Sequence, residues 1–374
     1  MKKLLFLLTF IIGSALSAQS QVKYDGAFGN GLRFETKDGS FGMKFTTRIQ
    51  PQFNSTLNLE DNTATNRMRI RRARLKFDGF FIIKDLRYKI EYDVVGGYVR
   101  DAVIKYRFAE HFDLWFGQAK LPGNRERIIS SANLEMVDRS LFTAFYTIDR
   151  DLGVQFHTNS NMGGWIFKSH WAISAGNGIR NNFGSSGLDY TGKLEFLPFG
   201  KFTKKGDYIG GDIYREETLK FAFAIGADYN MSAYKSMGQI GLILDSEADL
   251  LLFFGDILLK YRGYSLMIEA GTRNTPNSSA NVHDPEGEVT GAFYTGFGMN
   301  FQTGYVFKKM WEISGRYAFT QPSVDSYSNI SDYSAGVGKY IKGHKFKILA
   351  DFTYRMQDAR DDLFIGRLQV EMQF

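Results

Sequence analysis

The chain of 374 residues contains no cysteine, which excludes disulfide bonds and thiolate metal sites. Proline is scarce, with six residues, so few positions would interrupt the hydrogen bonding of long strands. Beyond Ile12, no apolar run approaches the roughly 20 residues that a transmembrane helix needs. The five histidines lack metal-ligand spacing, and no phosphate-binding loop or nucleophile elbow is present. We therefore predict neither an enzyme nor a bound cofactor.

The amino terminus has the features of a secretory signal peptide. Lys2 and Lys3 precede an apolar run from Leu4 to Ile12, and small residues follow up to Ser20. We predict cleavage between about Ser17 and Ser20. The predicted organisation is a signal peptide over residues 1–18, an extended segment over 19–40 and one large domain over 41–374.

A two-residue alternation of charged and apolar side chains runs through most of this domain. From Arg72 to Phe77, the basic residues share one face and the apolar residues share the other, which is the period of a β-strand. The same pattern returns in 86–94 and 101–108. Strands with one apolar and one charged face, with little room for helices between them, are typical of a transmembrane barrel with lipid outside and water inside. We predict an all-β fold, an antiparallel β-barrel.

The alternation can be divided into about 16 strands, an even number as in bacterial single-chain barrels. Short connections should alternate with long ones, and we place both termini and the short turns on the periplasmic side of a Gram-negative outer membrane. Long connections are predicted at 54–66, 120–150 and 231–248. Two connections do not follow this rule, because 198–217 is long for a turn and 96–100 is short for an outer loop.

The last strand ends on Phe374, with apolar residues at alternate positions before it. A terminal aromatic residue of this kind is a signal for the barrel assembly machinery, which we predict as a partner together with outer-membrane lipid and lipopolysaccharide. The net charge of +6 is too small to indicate nucleic-acid binding.

The predicted inner wall is basic on balance. Guanidinium groups bind oxyanions through paired hydrogen bonds, and lysine supplies a point charge. Alternatively, these side chains pair with the interleaved acids Asp78, Glu91, Asp93 and Asp101 and keep the wall soluble and rigid. The predicted pore-lining, anion-binding residues are Arg48, Arg72, Arg74, Lys76, Arg87, Lys89, Lys105 and Arg107, and Lys44 has the same parity.

The stretch from Lys120 to Arg150 is too irregular for a strand and contains apolar residues such as Ile128, Ile129 and Leu134. A loop between strands 5 and 6 that folds into the lumen would bury these side chains and constrict the channel. An ordinary outer loop is the alternative. The predicted constriction residues are Lys120, Arg125, Arg127 and Arg139.

Five motifs along the chain are specific enough to compare with known families. They are Arg71-Arg-Ala-Arg-Leu75, Tyr88-Lys-Ile-Glu-Tyr-Asp93, Phe116-Gly-Gln-Ala-Lys-Leu-Pro122, Asn133-Leu-Glu-Met-Val-Asp-Arg139 and Arg150-Asp-Leu-Gly-Val-Gln155. These motifs resemble the phosphate-selective porin O and P family. The resemblance implies a sixteen-stranded outer-membrane porin, generally a homotrimer, with an arginine ladder and an inward-folded third loop. Arg72 and Arg74 match the ladder strand most closely.

The sequence thus predicts a water-filled, anion-preferring channel for passive diffusion of small solutes such as phosphate and other oxyanions. One alternative is a non-conducting barrel that acts as an adhesin or scaffold. An outer-membrane hydrolase is disfavoured, because it would need a serine and a histidine together on the outer face near the rim. His157 and His170 point inward by parity.

Overall fold

The computed structural model describes residues 21–23, 28–179 and 186–374. The predicted signal peptide and its cleavage site lie outside these residues. Within the described residues, sixteen antiparallel strands form a barrel that closes where the strand Leu363–Gln373 pairs with the strand Phe41–Asn58. These strands are β3 (Phe41–Asn58), β4 (Ala64–Phe81), β5 (Ile83–Asp93), β6 (Tyr98–Ala109), β7 (Phe112–Lys120), β8 (Arg150–Met162), β9 (Trp165–Ser174), β10 (Asp189–Leu197), β11 (Lys220–Lys235), β12 (Ile243–Tyr261), β13 (Tyr264–Asn274), β16 (Gly296–Val306), β17 (Trp311–Pro322), β18 (Ile330–Tyr340), β19 (Phe346–Gln357) and β20 (Leu363–Gln373).

Four short strands lie outside the barrel wall proper. β1 (Gln21–Lys23) pairs with β2 (Leu32–Glu35), and β2 pairs with β3. β14 (Asn281–His283) and β15 (Val289–Ala292) form a separate hairpin. The described helices are also short: Arg125–Ile128, Leu141–Phe145 and the 3-10 helix Thr203–Tyr208. No helix in the described ranges is both long enough and apolar enough to cross a membrane.

Burial follows the alternation that the sequence predicted. Phe116 and Ile225 on the outer face are 63% and 60% exposed, whereas Asp256 and Glu269 on the inner face are 4% and 0% exposed. Because the sheet is closed, the buried face of each strand faces the inside of the barrel. The predicted fold class, an antiparallel barrel of 16 strands, is confirmed.

The strands extend further than predicted at the end of the barrel where the long connections lie. β11 and β12 remain paired as far as Lys235 and Ile243, so the predicted loop 231–248 is wrong and shrinks to 236–242. Likewise, β3 and β4 leave residues 59–63 between them instead of 54–66. In these parts of the strands, backbone pairing continues although the outward side chains no longer alternate between apolar and polar. Strand ends predicted from the alternation were therefore placed too early. The two connections predicted as exceptions, 198–217 and 96–100, span residues 198–219 and 94–97 in the structure.

A β-bulge changes the parity of the basic strand. Gln50 pairs with Arg72 and Pro51 with Ile70, so Arg71 has no opposing residue of its own. A bulge places two residues opposite one, and here both Arg71 and Arg72 reach Asp138, each at 3.3 Å. Strict alternation would have directed Arg71 toward lipid.

The β7–β8 segment, residues 121–149, contacts inward-facing side chains around much of the barrel. The backbone N–H of Glu126 donates to Glu269 at 2.8 Å, and that of Val137 donates to Asp351 at 2.9 Å. Ile129, Leu134, Met136 and other apolar residues of the segment are fully buried. The further wall residues that it contacts are Arg48, Gln50, Gln52, Lys193, Glu195, Asp256, Gln302, Arg316 and Lys347.

Because adjacent residues of a strand lie on different faces, substitutions at Leu75 and Lys76 should change the stability of the barrel by very different amounts. Leu75→Arg places a charge on the outward face of β4, and we expect it to destabilise the barrel by about 2–4 kcal/mol if the site lies near the bilayer midplane. Lys76→Gln on the inward face should have little effect. Urea unfolding in lipid vesicles, followed by heat-dependent gel mobility, measures both variants. A larger loss for Lys76→Gln would mean that the faces are exchanged.

Candidate functional site

A cavity of about 890 Å³ lies off-centre in the barrel, between the inner faces of β5–β9 and the β7–β8 segment. The cavity is on this side because the segment is hydrogen-bonded to the wall on the other sides. Thirteen lysine or arginine residues line the cavity, against five aspartate or glutamate residues. The lining is therefore strongly basic, which favours anions in the enclosed water.

Seven of the predicted site residues line this cavity, and five do not. Two of the five lie beneath the β7–β8 segment: Arg48 donates to Ser131 at 3.0 Å, and Arg72 donates to Gln50 at 3.0 Å. In the structure, contacts with the segment or the wall cover Arg48, Arg72 and Arg125, and all three are buried. The predicted residues that line the cavity are Arg74, Lys89, Lys105, Arg107, Lys120, Arg127 and Arg139, whereas Arg48, Arg72, Lys76, Arg87 and Arg125 do not.

Many of the cationic groups on the strands are neutralised by carboxylates. Arg74 lies 2.7 Å from Glu91 and 3.6 Å from Asp93. Lys89 and Arg150 converge on Asp101 at 2.6 and 2.8 Å. These contacts correspond to the alternative in which the wall residues pair with the interleaved acids and hold the wall rigid.

A second group of lining cations has no such partner. Lys105 has its ammonium group 3.3 Å from the centroid of the Trp115 ring, a cation–π contact that leaves its charge uncompensated. Lys120 donates to the backbone carbonyl groups of Arg127, Ile128 and Ile129. Within the described part of the chain, the lining cations with no carboxylate within 4.0 Å are Lys105, Lys120, Arg139, Lys201, Lys204 and Lys205.

Arg125 anchors the β7–β8 segment instead of lining the cavity. Its side chain is 1% exposed and forms ion pairs with Glu195 at 2.6 Å and with Asp256 at 2.5 Å. A buried arginine that satisfies two carboxylates fixes geometry, because without it each buried acid keeps only one cationic partner, Lys168 for Glu195 and Lys193 for Asp256. Arg125 is therefore a positioning residue in this structure.

Asp138 forms a second anchor, on the opposite side of the segment. Burial alone would raise its pKa, but the neighbouring Arg71 and Arg72 guanidinium groups lower the pKa of Asp138 to about 2. The carboxylate is thus ionised at any physiological pH. Since the folded-state pKa lies below the ordinary value, this contact stabilises the fold above about pH 4 and is lost as the pH falls toward 2.

The sequence predictions missed six of the lining cations. Arg100 lies at a second bulge, where Glu91 pairs with Asp101 and Tyr92 with Val99, so its inward position could not be read from parity. Lys168 is at an inward position of β9, and parity would have identified it. Arg150 has the same parity as the exposed Leu152 and Val154, so parity would have placed it on the outward face of β8. Lys201, Lys204 and Lys205 belong to the long connection between β10 and β11, for which no periodicity exists.

The same cavity contains a histidine pair. His157 and His170 are directly opposite each other on β8 and β9, and their Nδ1 atoms lie 2.6 Å apart. Among the described residues, no group of three or more histidine, cysteine, aspartate or glutamate side chains is placed to hold a metal ion.

Solved structures with this fold include several outer-membrane proteins, among them a porin and a channel. The anion-selective porin of Comamonas acidovorans matches with a TM-score of 0.58 at 8% identity, over 89% of this chain and 99% of that one. The outer-membrane channel DcaP of Acinetobacter baumannii gives a TM-score of 0.58 at 12% identity, over 91% and 99%. OmpT of Vibrio cholerae, folded in vitro and in a trimer form, gives a TM-score of 0.54 at 11% identity, over 89% and 99%.

A comparison with curated proteins gives no match. A family model, described as phosphate-selective porin O and P, matches residues 43–204. This range covers β3 to β10, the β7–β8 segment and most of the cavity lining, and it contains all five motifs on which the resemblance was based. The predicted resemblance is confirmed: residues 43–204 match the phosphate-selective porin O and P family, and the chain as a whole has the fold of outer-membrane porins.

Proposed function

We propose that this chain is an outer-membrane porin of a Gram-negative bacterium, whose water-filled path runs along β5–β9 and prefers anions. The observation that carries the proposal is the cavity itself, in which thirteen cationic side chains face five anionic ones. The match to a porin family model and the fold shared with outer-membrane channels support the same function. Both point to a channel rather than an enzyme.

The proposal includes the β7–β8 segment as a constriction. The segment is buried and is held by Arg125 and Asp138 on different sides of the barrel, so it would confine the path to the space beside β5–β9. Arg127 and Arg139 then line the path on the side of the segment, and Lys105 lines it on the wall. The predicted inward fold of this loop supplies the physical reason for the off-centre path.

The permeants that we propose are small anions in general, with phosphate among them. Guanidinium groups that could bind phosphate through paired hydrogen bonds, such as those of Arg74 and Arg150, are already paired with Glu91 and Asp101. The uncompensated charges are mostly lysines, which attract an anion without imposing its geometry. A path of this kind should distinguish charge more strongly than it distinguishes one oxyanion from another.

The remaining predictions about topology and partners are part of the proposal. Residues 41–374 would be the barrel domain, after a signal peptide over 1–18 and an extended segment over 19–40. The termini and short turns would be periplasmic, with outer-membrane lipid and lipopolysaccharide around the apolar face. Phe374, which is 44% exposed, would be recognised by the assembly machinery. A homotrimer is consistent with the trimer form described for OmpT of Vibrio cholerae.

Liposome swelling with the parent chain and Lys105→Met tests this function. Lys105 has no carboxylate partner, so its removal leaves no unpaired acid and should not affect folding. We expect the parent to pass small neutral sugars and monovalent organic anions, and we expect the variant to lower the anion rate by roughly twofold while the sugar rate is unchanged. No swelling with any solute, in vesicles that contain folded barrel, would favour the non-conducting adhesin or scaffold.

A further inference from the structure

The connection between β10 and β11, residues 198–219, enters the barrel. It lies at the end with the short turns, where neighbouring connections such as 110–111 and 262–263 are tight. Phe202, Ile209 and Ile213 of this connection are 4%, 7% and 8% exposed. Phe202 belongs to one buried apolar cluster with Ile129 and Leu134 of the β7–β8 segment. The connection is therefore packed against the segment rather than extended into solvent.

The 198–219 connection and the β7–β8 segment are in such close backbone contact that only glycine fits between them. The backbone N–H of Gly210 donates to the carbonyl of Asn133 at 2.7 Å. A Cβ atom at Gly210 would lie 2.7 Å from the backbone nitrogen of Glu135, and one at Gly211 would overlap the Glu312 carboxylate. Any side chain at these two positions would push the connection away from the segment and the wall.

The barrel wall holds the connection through a buried lysine. Lys260 on β12 is 1% exposed, and its ammonium group donates to the carbonyls of Gly206, Ile209 and Gly211 at 2.9, 2.9 and 3.0 Å. Asp212 in turn accepts from the backbone N–H of Gly263 at 2.7 Å, in the β12–β13 turn. Three donated hydrogen bonds from one side chain fix the position of a segment that has no strand partner of its own.

We propose that the 198–219 connection is a second constriction, and that Lys201, Lys204 and Lys205 are specificity-determining residues at the mouth of the anion path. This inference rests on the proposed channel function. The three lysines line the cavity together with His111 and Asn159 from the neighbouring short-turn end of the barrel. An anion that enters from this end passes these charges before it reaches Lys105 and the β7–β8 segment.

The local backbone supports a defined position for these lysines. Lys204 and Lys205 have φ angles of 48° and 60°, and consecutive left-handed residues that are not glycine are rare. The conformation is maintained because Phe202 before it and Gly206 to Gly211 after it are anchored. Both lysine side chains are exposed, and among the described residues no carboxylate lies within 4.0 Å of them. The ammonium group of Lys204 lies 5.3 Å from the centroid of the Tyr214 ring, a contact that does not neutralise its charge. Both lysines therefore present a positive charge to passing ions.

The absence of native cysteine allows a direct test with single thiols. Lys204→Cys and Lys205→Cys are labelled in planar bilayers with a thiol reagent that adds a sulfonate or with one that adds a trimethylammonium group. We expect either adduct to lower single-channel conductance, because the mouth is narrow. The sulfonate should lower the chloride-to-potassium permeability ratio by about twofold or more, and trimethylammonium should return it toward the parent value. Lys308→Cys, in the exposed turn 307–310 at the same end, is the matched control and should show neither change.

The outcomes separate the two proposals. A parent channel that conducts and prefers anions, combined with complete labelling of Lys204→Cys and Lys205→Cys without any change in conductance or permeability ratio, overturns the second constriction and leaves the proposed function intact. A folded parent that does not conduct overturns both. If the adducts at Lys308→Cys change conductance and permeability ratio as much as those at Lys204→Cys and Lys205→Cys, the reagents act through the charge of the whole surface. That result would also overturn the second constriction.

Discussion

Deleting residues 124–136 will raise single-channel conductance severalfold and reduce the preference for anions. The deletion removes the part of the β7–β8 segment that carries Arg125, Arg127 and the buried Ile129 and Leu134, and so removes the material between the cavity and the far wall. A wider aqueous path passes more current. A permeating ion also lies farther from the wall charges, and mobile ions screen these charges over about 8–10 Å, so the preference for anions becomes weaker. Single-channel recording in potassium chloride and then in potassium phosphate measures both effects.

A deletion on the same end of the barrel provides the control. Residues 285–288 form the exposed tip between β14 and β15, and their removal should leave conductance and selectivity at the parent values. If the 124–136 deletion folds into a barrel but behaves like this control, the segment is an ordinary outer loop, and the proposed constriction is wrong.

Arg125→Met will destabilise the folded barrel by about 3–5 kcal/mol, the usual cost of removing one partner from a buried ion-pair network. Arg125 donates to Asp256 and Glu195, and it also donates to the carbonyl of Asp207 at 3.2 Å. Lys193 and Lys168 still contact the two acids at 2.8 and 2.6 Å, so the loss should stay within this range. Denaturant unfolding in lipid vesicles measures it.

Arg71→Ala is the matched control for this substitution. Arg71 also pairs with an acid of the β7–β8 segment, Asp138 at 3.3 Å, but its side chain is 37% exposed. Exposed pairs contribute about 0–1 kcal/mol, so the variant should unfold close to the parent. Similar losses for both variants would mean that burial does not set the strength of these anchors.

The sequence predicted the barrel because each wall strand carries its own local evidence. Apolar residues must face lipid at every second position, and this requirement is visible in β4 or β17 without knowledge of the rest of the chain. The evidence disappears where a strand passes beyond the lipid, as in β11 and β12 near Lys235 and Ile243. A bulge also breaks the parity, as it does at Arg71 and Arg100.

The candidate site was only partly predictable because its contacts join distant parts of the chain. Arg125 and Asp256 are 131 positions apart, and Glu126 and Arg316 are 190 apart. Parity shows that a residue points inward, but it does not show which inward residues lie beneath the β7–β8 segment. Arg72 and Arg74 illustrate this limit, because they have the same parity, and Arg74 lines the cavity while Arg72 is covered.

The zero-current potential of the parent channel shows whether the basic cavity conducts and prefers anions. The purified mature chain is inserted into a planar bilayer with a tenfold gradient of potassium chloride. We expect a potential displaced toward the chloride equilibrium value. A potential displaced toward the potassium equilibrium value would leave a porin but contradict the role of Lys105 and the other unpaired cations.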